Sequence, residues 1–293
     1  MTDELRFAKY EGTGNDFVMV VDLDDERVID ADVVASLCDR RTGVGADGLI
    51  RVVRADEPDA RFVMDYRNAD GSLAEMCGNG ARCVGKMLHD LELIDETEFG
   101  VRTLGGVRGL HLHEDSGRVD RVTVEMGTPG FAKAAMPMRG PAWETFLGEP
   151  FDVGGGMTFN ASAVSMGNPH LVLFVDDDPD RIHVGHIGPA LERHELFPEG
   201  TNVEFAQVLN DGIKARVWER GSGETMACGS GACAIAVAAN EAGLVPRGTV
   251  VRFPGGALDV ERLETGEVLL TGEAVHVFDG AVDLDRVRGR VRA

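Results

Sequence analysis

The sequence predicts an α+β fold of two pseudo-symmetric domains, each a mainly antiparallel or mixed set of strands around one central helix. Two observations predict it. One unit is written twice, and in each copy strand-forming runs flank a single long helical pattern. Residues 75–85, EMCGNGARCVG, resemble residues 226–236, MACGSGACAIA, aligned on Cys77 and Cys228. Nine residues before each cysteine stands a polar residue close behind an aromatic one, Asn68 after Tyr66 and Glu219 after Trp218. Gly14-Asn15-Asp16-Phe17-Val18-Met19 resembles Gly167-Asn168-Pro169-His170-Leu171-Val172, and Arg102-Thr103-Leu104-Gly105-Gly106 pairs with Arg252-Phe253-Pro254-Gly255-Gly256. The offset is 153 at the asparagines, 151 at the cysteines and 150 at the arginines. Pairs that keep their order at a nearly constant offset mark a duplication. At 293 residues the chain has room for two domains of ordinary size. The Gly-, Pro- and Met-rich stretch 129–150 places the boundary, giving one domain at 1–128 with a returning segment 275–293, and a second at 129–274.

In chain order, β-rich or alternating runs predict strands over 17–22, 49–53, 61–66, 107–112 and 119–126, with a short helix over 32–40. The second copy gives strands over 171–175, 203–208, 213–218, 249–253 and 267–271, with a short helix over 189–196. The clearest helical periodicity directly follows each repeat cysteine, over 79–91 and over 230–242. The latter is Ala-rich and stopped by Gly243. A strand over 274–278 is expected to return to the first domain.

The formal net charge is −21, and lysine occurs only at Lys9, Lys86, Lys133 and Lys214. A charge of this sign repels phosphate backbones and argues against nucleic acid as a partner. The acidic residues are spread along the chain, as at 22–26 and 176–180, which fits the solvated shell of a halophilic protein in a salt-loaded cytoplasm. No apolar run is long enough to span a bilayer, and the acidic start MTDELRFAKYEG lacks the order of a signal peptide. A cytoplasmic protein with no membrane partner is expected. Five cysteines with no Cys-x-x-Cys spacing predict neither a disulfide framework nor a closed zinc site. Cys38, Cys83 and Cys233, among apolar neighbours, read as small buried hydrophobes.

Cys77 and Cys228 read differently because both occupy the matching turn. Cys-Gly-x-Gly lets the backbone approach a ligand closely, and Asn79 or Ser230 is the expected N-cap of the helix that follows. The first N–H groups of a helix lack internal partners and favour an anion. A thiol placed there is expected to have its pKa lowered from about 8.5. Each half thus supplies a carboxylate-binding helix end and a reactive thiol. Two such halves across a cleft would hold one carboxylate and set a thiol on each side of its α-carbon. A thiolate would then take a proton from one face while a thiol delivers one to the other. Such chemistry needs no cofactor, and no metal is expected.

With those residues in hand, the chain resembles the diaminopimelate epimerase family of cofactor-independent amino-acid racemases. KYEGTGNDFVMV, DRRTGVGADGLI, YRNADGSLAEMCGNGARC, MGNPH, GTNVEF and WERGSGETMACGSGAC carry the resemblance over nearly the whole chain. It implies sheets wrapped on a central helix, and Cys77 and Cys228 exchanging roles as base and acid. It implies that Gly78, Asn79, Gly229 and Ser230 bind the reacting α-carboxylate through helix N–H groups. Asn15, Asn68, Asn168, Asn202, Glu219 and Arg220 would hold the substrate's ammonium groups and distal carboxylate, with Arg220 the natural fork for the latter. His170 and Glu219 would lie beside the cysteines and tune them, and the protein would be a homodimer. Many members carry Gln where this chain has Gly48, so that family contact lacks its side chain here.

The implied reaction interconverts LL- and meso-2,6-diaminopimelate and feeds lysine synthesis. Sister racemases use the same cysteine pair on proline, hydroxyproline or histidine, but Arg220 and the asparagines favour a substrate with a distal carboxylate. A binding protein or redox sensor with a switchable Cys77–Cys228 disulfide is the non-enzymatic alternative, told apart by α-proton exchange in a reduced sample. Gly43-Val44-Gly45-Ala46-Asp47-Gly48 matches G-x-G-x-x-G, yet a helix is expected before it and a strand after it, the reverse of a dinucleotide site. His183, His186 and His194 lack a metal-binding spacing and read as surface residues.

Overall fold

The computed structural model describes residues 4–154 and 156–291, so residues 1–3, 155, 292 and 293 of the expected domains lie outside the described residues. The chain divides into two compact units, Met1–Val124 with Gly272–Ala293, and Glu125–Thr271. The architecture is α+β.

The first unit carries β1 (Glu4–Gly12), β2 (Asn15–Val21), α1 (Ala31–Cys38), β3 (Gly48–Glu57), β4 (Ala60–Asn68), α2 (Gly78–Asp90), β5 (Glu98–Thr103) and β6 (Gly106–Asp115). Strand β7 (Arg118–Gly127) pairs antiparallel with β6 and leads across the division. From β1 to β6 the successive pairings are antiparallel, parallel, antiparallel, parallel and antiparallel.

The second unit carries β8 (Glu149–Gly154), β9 (Met157–Ser165), β10 (Pro169–Phe174), α3 (Val184–Glu192), β11 (Asn202–Leu209), β12 (Gly212–Glu219) and β13 (Gly223–Thr225). Then come α4 (Gly229–Glu241), β14 (Gly248–Phe253), β15 (Gly256–Arg262) and β16 (Val268–Glu273), the last reaching across the division. The same alternation runs through β9, β10, β11, β12, β14 and β15. Even the registers coincide. Phe17 faces Gly48 as His170 faces Asn202, and Thr103 faces Gly106 as Phe253 faces Gly256. The returning chain, β17 (Val275–Asp283) followed by α5 (Leu284–Val291), pairs antiparallel with β1 from Glu4↔Asp283 to Glu11↔Val275.

Each unit encloses one helix. Residues Ala232, Cys233, Ala234, Ile235, Ala236, Val237, Ala238 and Ala239 of α4 are all buried, and a helix apolar on every side must be surrounded. Its small side chains let β9, β10, β11, β14 and β15 pack against it. Helix α2 is buried from Gly78 to Leu88 although it includes Arg82 and Lys86. Those charges are met inside: Arg82 donates to Thr13 Oγ1 at 2.7 Å, Asn79 Oδ1 at 3.0 Å and the Glu273 carbonyl at 3.2 Å. Lys86 donates to the Val119 carbonyl at 2.7 Å and to Asp90 at 3.1 Å, as a buried charge requires.

The helix expected over 189–196 is α3, Val184–Glu192, with Pro189 inside it rather than at its start. Its buried face, Val184, Gly188 and Leu191, follows the helical period and decides its position. The bond Pro189 cannot donate would have gone to Gly185, which is exposed and open to solvent. Among the described residues no helix is long and apolar enough to cross a membrane.

Candidate active site

In the first unit the β1–β2 turn and the start of α2 meet at Cys77. The backbone at Cys77 is extended (φ −141°, ψ 111°), and its Sγ accepts the Gly80 N–H at 3.4 Å. The cysteine is therefore the N-cap, a position expected for Asn79; likewise Cys228 rather than Ser230 caps α4, its Sγ accepting the Gly231 N–H at 3.3 Å. The correction has a physical reason. Only a side chain one residue before the first helical turn can fold onto the third N–H, and here sulfur takes the place of a hydroxyl oxygen. Asn79 and Ser230 fall inside the first turn.

The approach is tight. A Cβ at Gly80 would stand 2.6 Å from Ile50 Cδ1, and one at Gly231 would stand 2.9 Å from Glu204 Oε1. Both helix starts thus rest directly on the strand beneath them.

Around Cys77, half-buried, the thiol donates to Asn15 Oδ1 at 3.6 Å, and Asn79 Nδ2 reaches the same oxygen at 3.4 Å. Asn15 is held from behind, where its Nδ2 donates to Asp47 at 2.7 Å. Asp47 in turn takes Arg40 at 2.8 Å, and Arg40 also holds Asp16 at 2.6 Å. Asn68 lies opposite Gly48 in the β3–β4 pair, and its Nδ2 is turned to Ser72 Oγ at 3.0 Å. Gly48 is closed to a side chain: a Cβ would meet the Arg67 carbonyl at 2.5 Å and the Tyr66 ring at 2.6 Å.

In the second unit Cys228 is buried, and its sulfur lies 3.4 Å from Ser230 Oγ. Ser230 Oγ accepts from Asn168 Nδ2 at 3.4 Å, so Asn168 reaches the helix start as Asn15 does in the first unit. Cys228 also shares a hydrogen bond with Glu219, whose Oε1 takes the Thr225 hydroxyl. The wholly buried His170 sits behind this group, Nε2 at 2.9 Å from Asn168 Oδ1 and Nδ1 at 2.6 Å from Glu204 Oε1. Asn202, expected among the substrate contacts, is buried with its amide between the Pro169 carbonyl (2.9 Å) and the Arg220 N–H (2.9 Å). The Arg220 side chain is exposed and donates to the Glu199 carbonyl at 3.3 Å.

The expected lowering of the thiol does not hold for Cys228. Burial first, then the negative charges of Glu219 and Glu204, push it well above the usual thiol range, outweighing the Ser230 hydroxyl and the Gly231 N–H, which act the other way. The helix end favours the thiolate, but an apolar wall with two carboxylates costs more. Glu219 itself is raised, chiefly by burial, with the bonds from Thr225 and Cys228 opposing. Among the remaining cysteines, Cys38, Cys83 and Cys233 are buried, and burial lifts Cys38 to about 12.

Sequence reasoning missed Glu204, Thr225, Asp47 and Arg82. The first had a visible signal: a lone carboxylate in the apolar strand NVEFAQVL, next to the predicted Asn202. Of the histidines read as surface residues, His183 and His186 are exposed, but His194 is half-buried with its ring 4.7 Å from that of Phe151. The Gly43–Gly48 segment follows α1 and runs into β3, as expected of a decoy. Among the described residues no group of His, Cys, Asp and Glu is arranged to hold a metal ion.

Comparison with known proteins places these features in context. The family model described as "Diaminopimelate epimerase" matches residues 7–132 and 162–277. A diaminopimelate epimerase of Bacteroides thetaiotaomicron is 44% identical over 285 residues, covering 97% of this chain and 100% of that protein. One of Pelotomaculum thermopropionicum is 45% identical over 280 residues, covering 94% and 98%. Among solved structures, a probable proline racemase from Agrobacterium radiobacter superposes with a TM-score of 0.73 at 13% identity, covering 99% of this chain and 96% of that one. A hydroxyproline epimerase from Agrobacterium vitis gives 0.70 at 14% identity, covering 97% and 94%. Those two likenesses are of fold.

Proposed function

Because the chain belongs to the diaminopimelate epimerase family, we propose that it is an isomerase that interconverts LL- and meso-2,6-diaminopimelate in lysine biosynthesis. The observation that carries the mechanism is the pair of sulfur caps: in each unit a cysteine, not a hydroxyl residue, closes the start of the central helix. One sulfur takes the α-proton, breaking C–H and forming S–H, while the other gives its proton to the opposite face of the carbanion. Helix N–H groups at Gly78 and Asn79, and at Gly229 and Ser230, stabilise the carboxylate on which charge accumulates. Cys228, held protonated by burial and two carboxylates, is the acid in the direction where Cys77 is the base. In reverse the roles exchange. His170 and Glu219 adjust Cys228, and Asn15, Asn68, Asn168, Asn202, Glu219 and Arg220 serve the substrate's remaining polar groups. The lobes at 1–128 with 275–293 and at 129–274 each carry one of the two cysteine caps, and the working form is a cytoplasmic homodimer suited to high salt.

The test is direct. Reduced protein given the LL isomer is expected to form the meso isomer, followed by chiral chromatography. Proline offered alongside in deuterated buffer is expected to keep its α-proton. Cys77→Ala and Cys228→Ala are each expected to cut kcat by about 10³-fold or more, since each face needs its own proton carrier. Absence of meso product from the reduced protein, at low and at high salt, overturns the reading.

A further inference from the structure

So far the buried carboxylate of Glu204 acts on Cys228 only through its charge, and its hydrogen bonds have no role assigned. It sits in β11 opposite Val172 of β10, fully buried, with Oε1 2.6 Å from His170 Nδ1. Its Oε2 has no hydrogen-bond partner among the described residues. A carboxylate so placed demands an account, because an unmatched buried charge is expensive.

The hydrogen-bond chain leading away from it supplies one. An amide oxygen only accepts, so His170 Nε2, facing Asn168 Oδ1 at 2.9 Å, must carry a proton. One further proton lies between Nδ1 and Glu204, and both ring nitrogens are then engaged. With its oxygen fixed by His170, Asn168 presents its Nδ2 to Ser230 Oγ. Ser230 Oγ, already accepting, has its own hydrogen left for Cys228 Sγ at 3.4 Å. From His170 outward, every donor and acceptor along His170–Asn168–Ser230–Cys228 therefore points one way, and the chain delivers a donor to the sulfur. Other titratable groups here are Glu219 from β12 and Cys228 from the cap of α4, both already placed.

The first unit has no counterpart. Phe17 stands where His170 does, and Ile50, opposite Met19 as Glu204 is opposite Val172, underlies the start of α2. There Cys77 donates its thiol hydrogen directly to Asn15 Oδ1, Asn15 being the counterpart of Asn168. We infer that Glu204 is a positioning residue: through His170 and Asn168 it directs the Ser230 hydroxyl onto Cys228, an arrangement the first unit does not repeat, with Phe17 and Ile50 in the matching places. The Ser230 donor opposes the burial and carboxylate charge that raise Cys228, so it eases the step in which this sulfur must carry negative charge.

The kinetic part of the test rests on the proposed epimerase reading; the spectroscopic part does not. In ¹⁵N-histidine-labelled wild type, with the His170 signals assigned by their loss in His170→Gln, Nε2 is expected to be protonated and Nδ1 hydrogen-bonded. Glu204→Ile, which installs the first unit's residue, is expected to move Nδ1 to the unbonded position. It should also lower kcat about 10–100-fold with KM changed less than about 2-fold, within the range of a general acid–base contribution. Glu204→Gln, which keeps a hydrogen-bonding group opposite Nδ1, is expected to stay within about 5-fold of wild type. An unbonded Nδ1 in the wild type overturns the proposal even if Glu204→Ile fails to fold. So does a folded Glu204→Ile with unchanged ring signals or undiminished kcat. A wild type that shows the expected ring signals but turns over no diaminopimelate sinks only the epimerase reading.

Discussion

A cysteine used as a helix cap couples structure to reactivity in one atom. Sγ of Cys228 accepts the Gly231 N–H, yet the thiol is raised because burial and the carboxylates of Glu219 and Glu204 oppose ionisation. Removing the charge of Glu219 should bring it down. Glu219→Gln is expected to alkylate at Cys228 about 3–10-fold faster with iodoacetamide at pH 8, with the rate profile displaced to lower pH, read by mass spectrometry of the Cys228 peptide. An unchanged profile would mean that burial and Glu204 set the thiol without Glu219. The two cysteines were legible in the sequence because the duplication singles them out from Cys38, Cys83 and Cys233. Their capping role was not, since Asn79 and Ser230 are better caps by composition and nothing in the string tells which residue bends out of the helix. Glu204 was hidden for a different reason. Its meaning depends on His170, thirty-four residues away, and only strand pairing joins them.

At the scale of elements, the start of β2 is anchored by charge as much as by packing. Asp16 is bound by Lys9 of β1 at 2.6 Å and by Arg40, just after α1, at 2.6 Å. Burial would raise its carboxyl, but the hydrogen bonds from Arg40 and Lys9 outweigh it and hold the pKa at about 2 against 3.8 for the free side chain. A folded-state value below the unfolded one gives stability that is present above about pH 4 and lost as pH falls toward 2. Asp16→Asn is expected to lower unfolding free energy by about 1–2 kcal/mol at pH 7, with the gap from wild type closing between pH 4 and 2 in urea titrations. A gap independent of pH would place the loss in packing. The two enclosed helices were readable from periodicity, and the strands of the repeat from their alternation. Strands β1, β5, β8, β9, β13 and β15 were not picked out, and Pro189 drew the eye to a helix start where the buried face of α3 begins five residues earlier. A proline marks what a backbone lacks, not where neighbours need a helix.

For the whole molecule, the duplication governs more than the fold. The strand alternation and registers recur between the units, while the residues behind the two sulfurs have diverged into Phe17 with Ile50 and His170 with Glu204. Duplication conserved the scaffold and left the chemistry free to differ. The acidic surface is a property of the entire chain: 50 acidic against 29 basic residues make self-repulsion a standing load on the folded state. Salt shortens the reach of that repulsion from about 10 Å at 0.1 M to about 3 Å at 1 M. The melting temperature is accordingly expected to rise by about 5–10 °C between 0.1 M and 2 M KCl, followed by calorimetry. A flat or falling curve would remove the case for a salt-adapted protein.

The pairing of β1 with β17, Glu4 against Asp283, has a consequence for synthesis. A ribosome makes β1 before the stretch Glu125–Thr271, and its partner β17 only after that entire stretch has been translated. The later-coded unit can therefore mature as one uninterrupted stretch, whereas the earlier-coded one must wait with an open edge for a strand not yet translated. Closing so distant a contact is slow. During that interval the nascent chain's exposed flank is where mispairing with a neighbouring polysome product would begin.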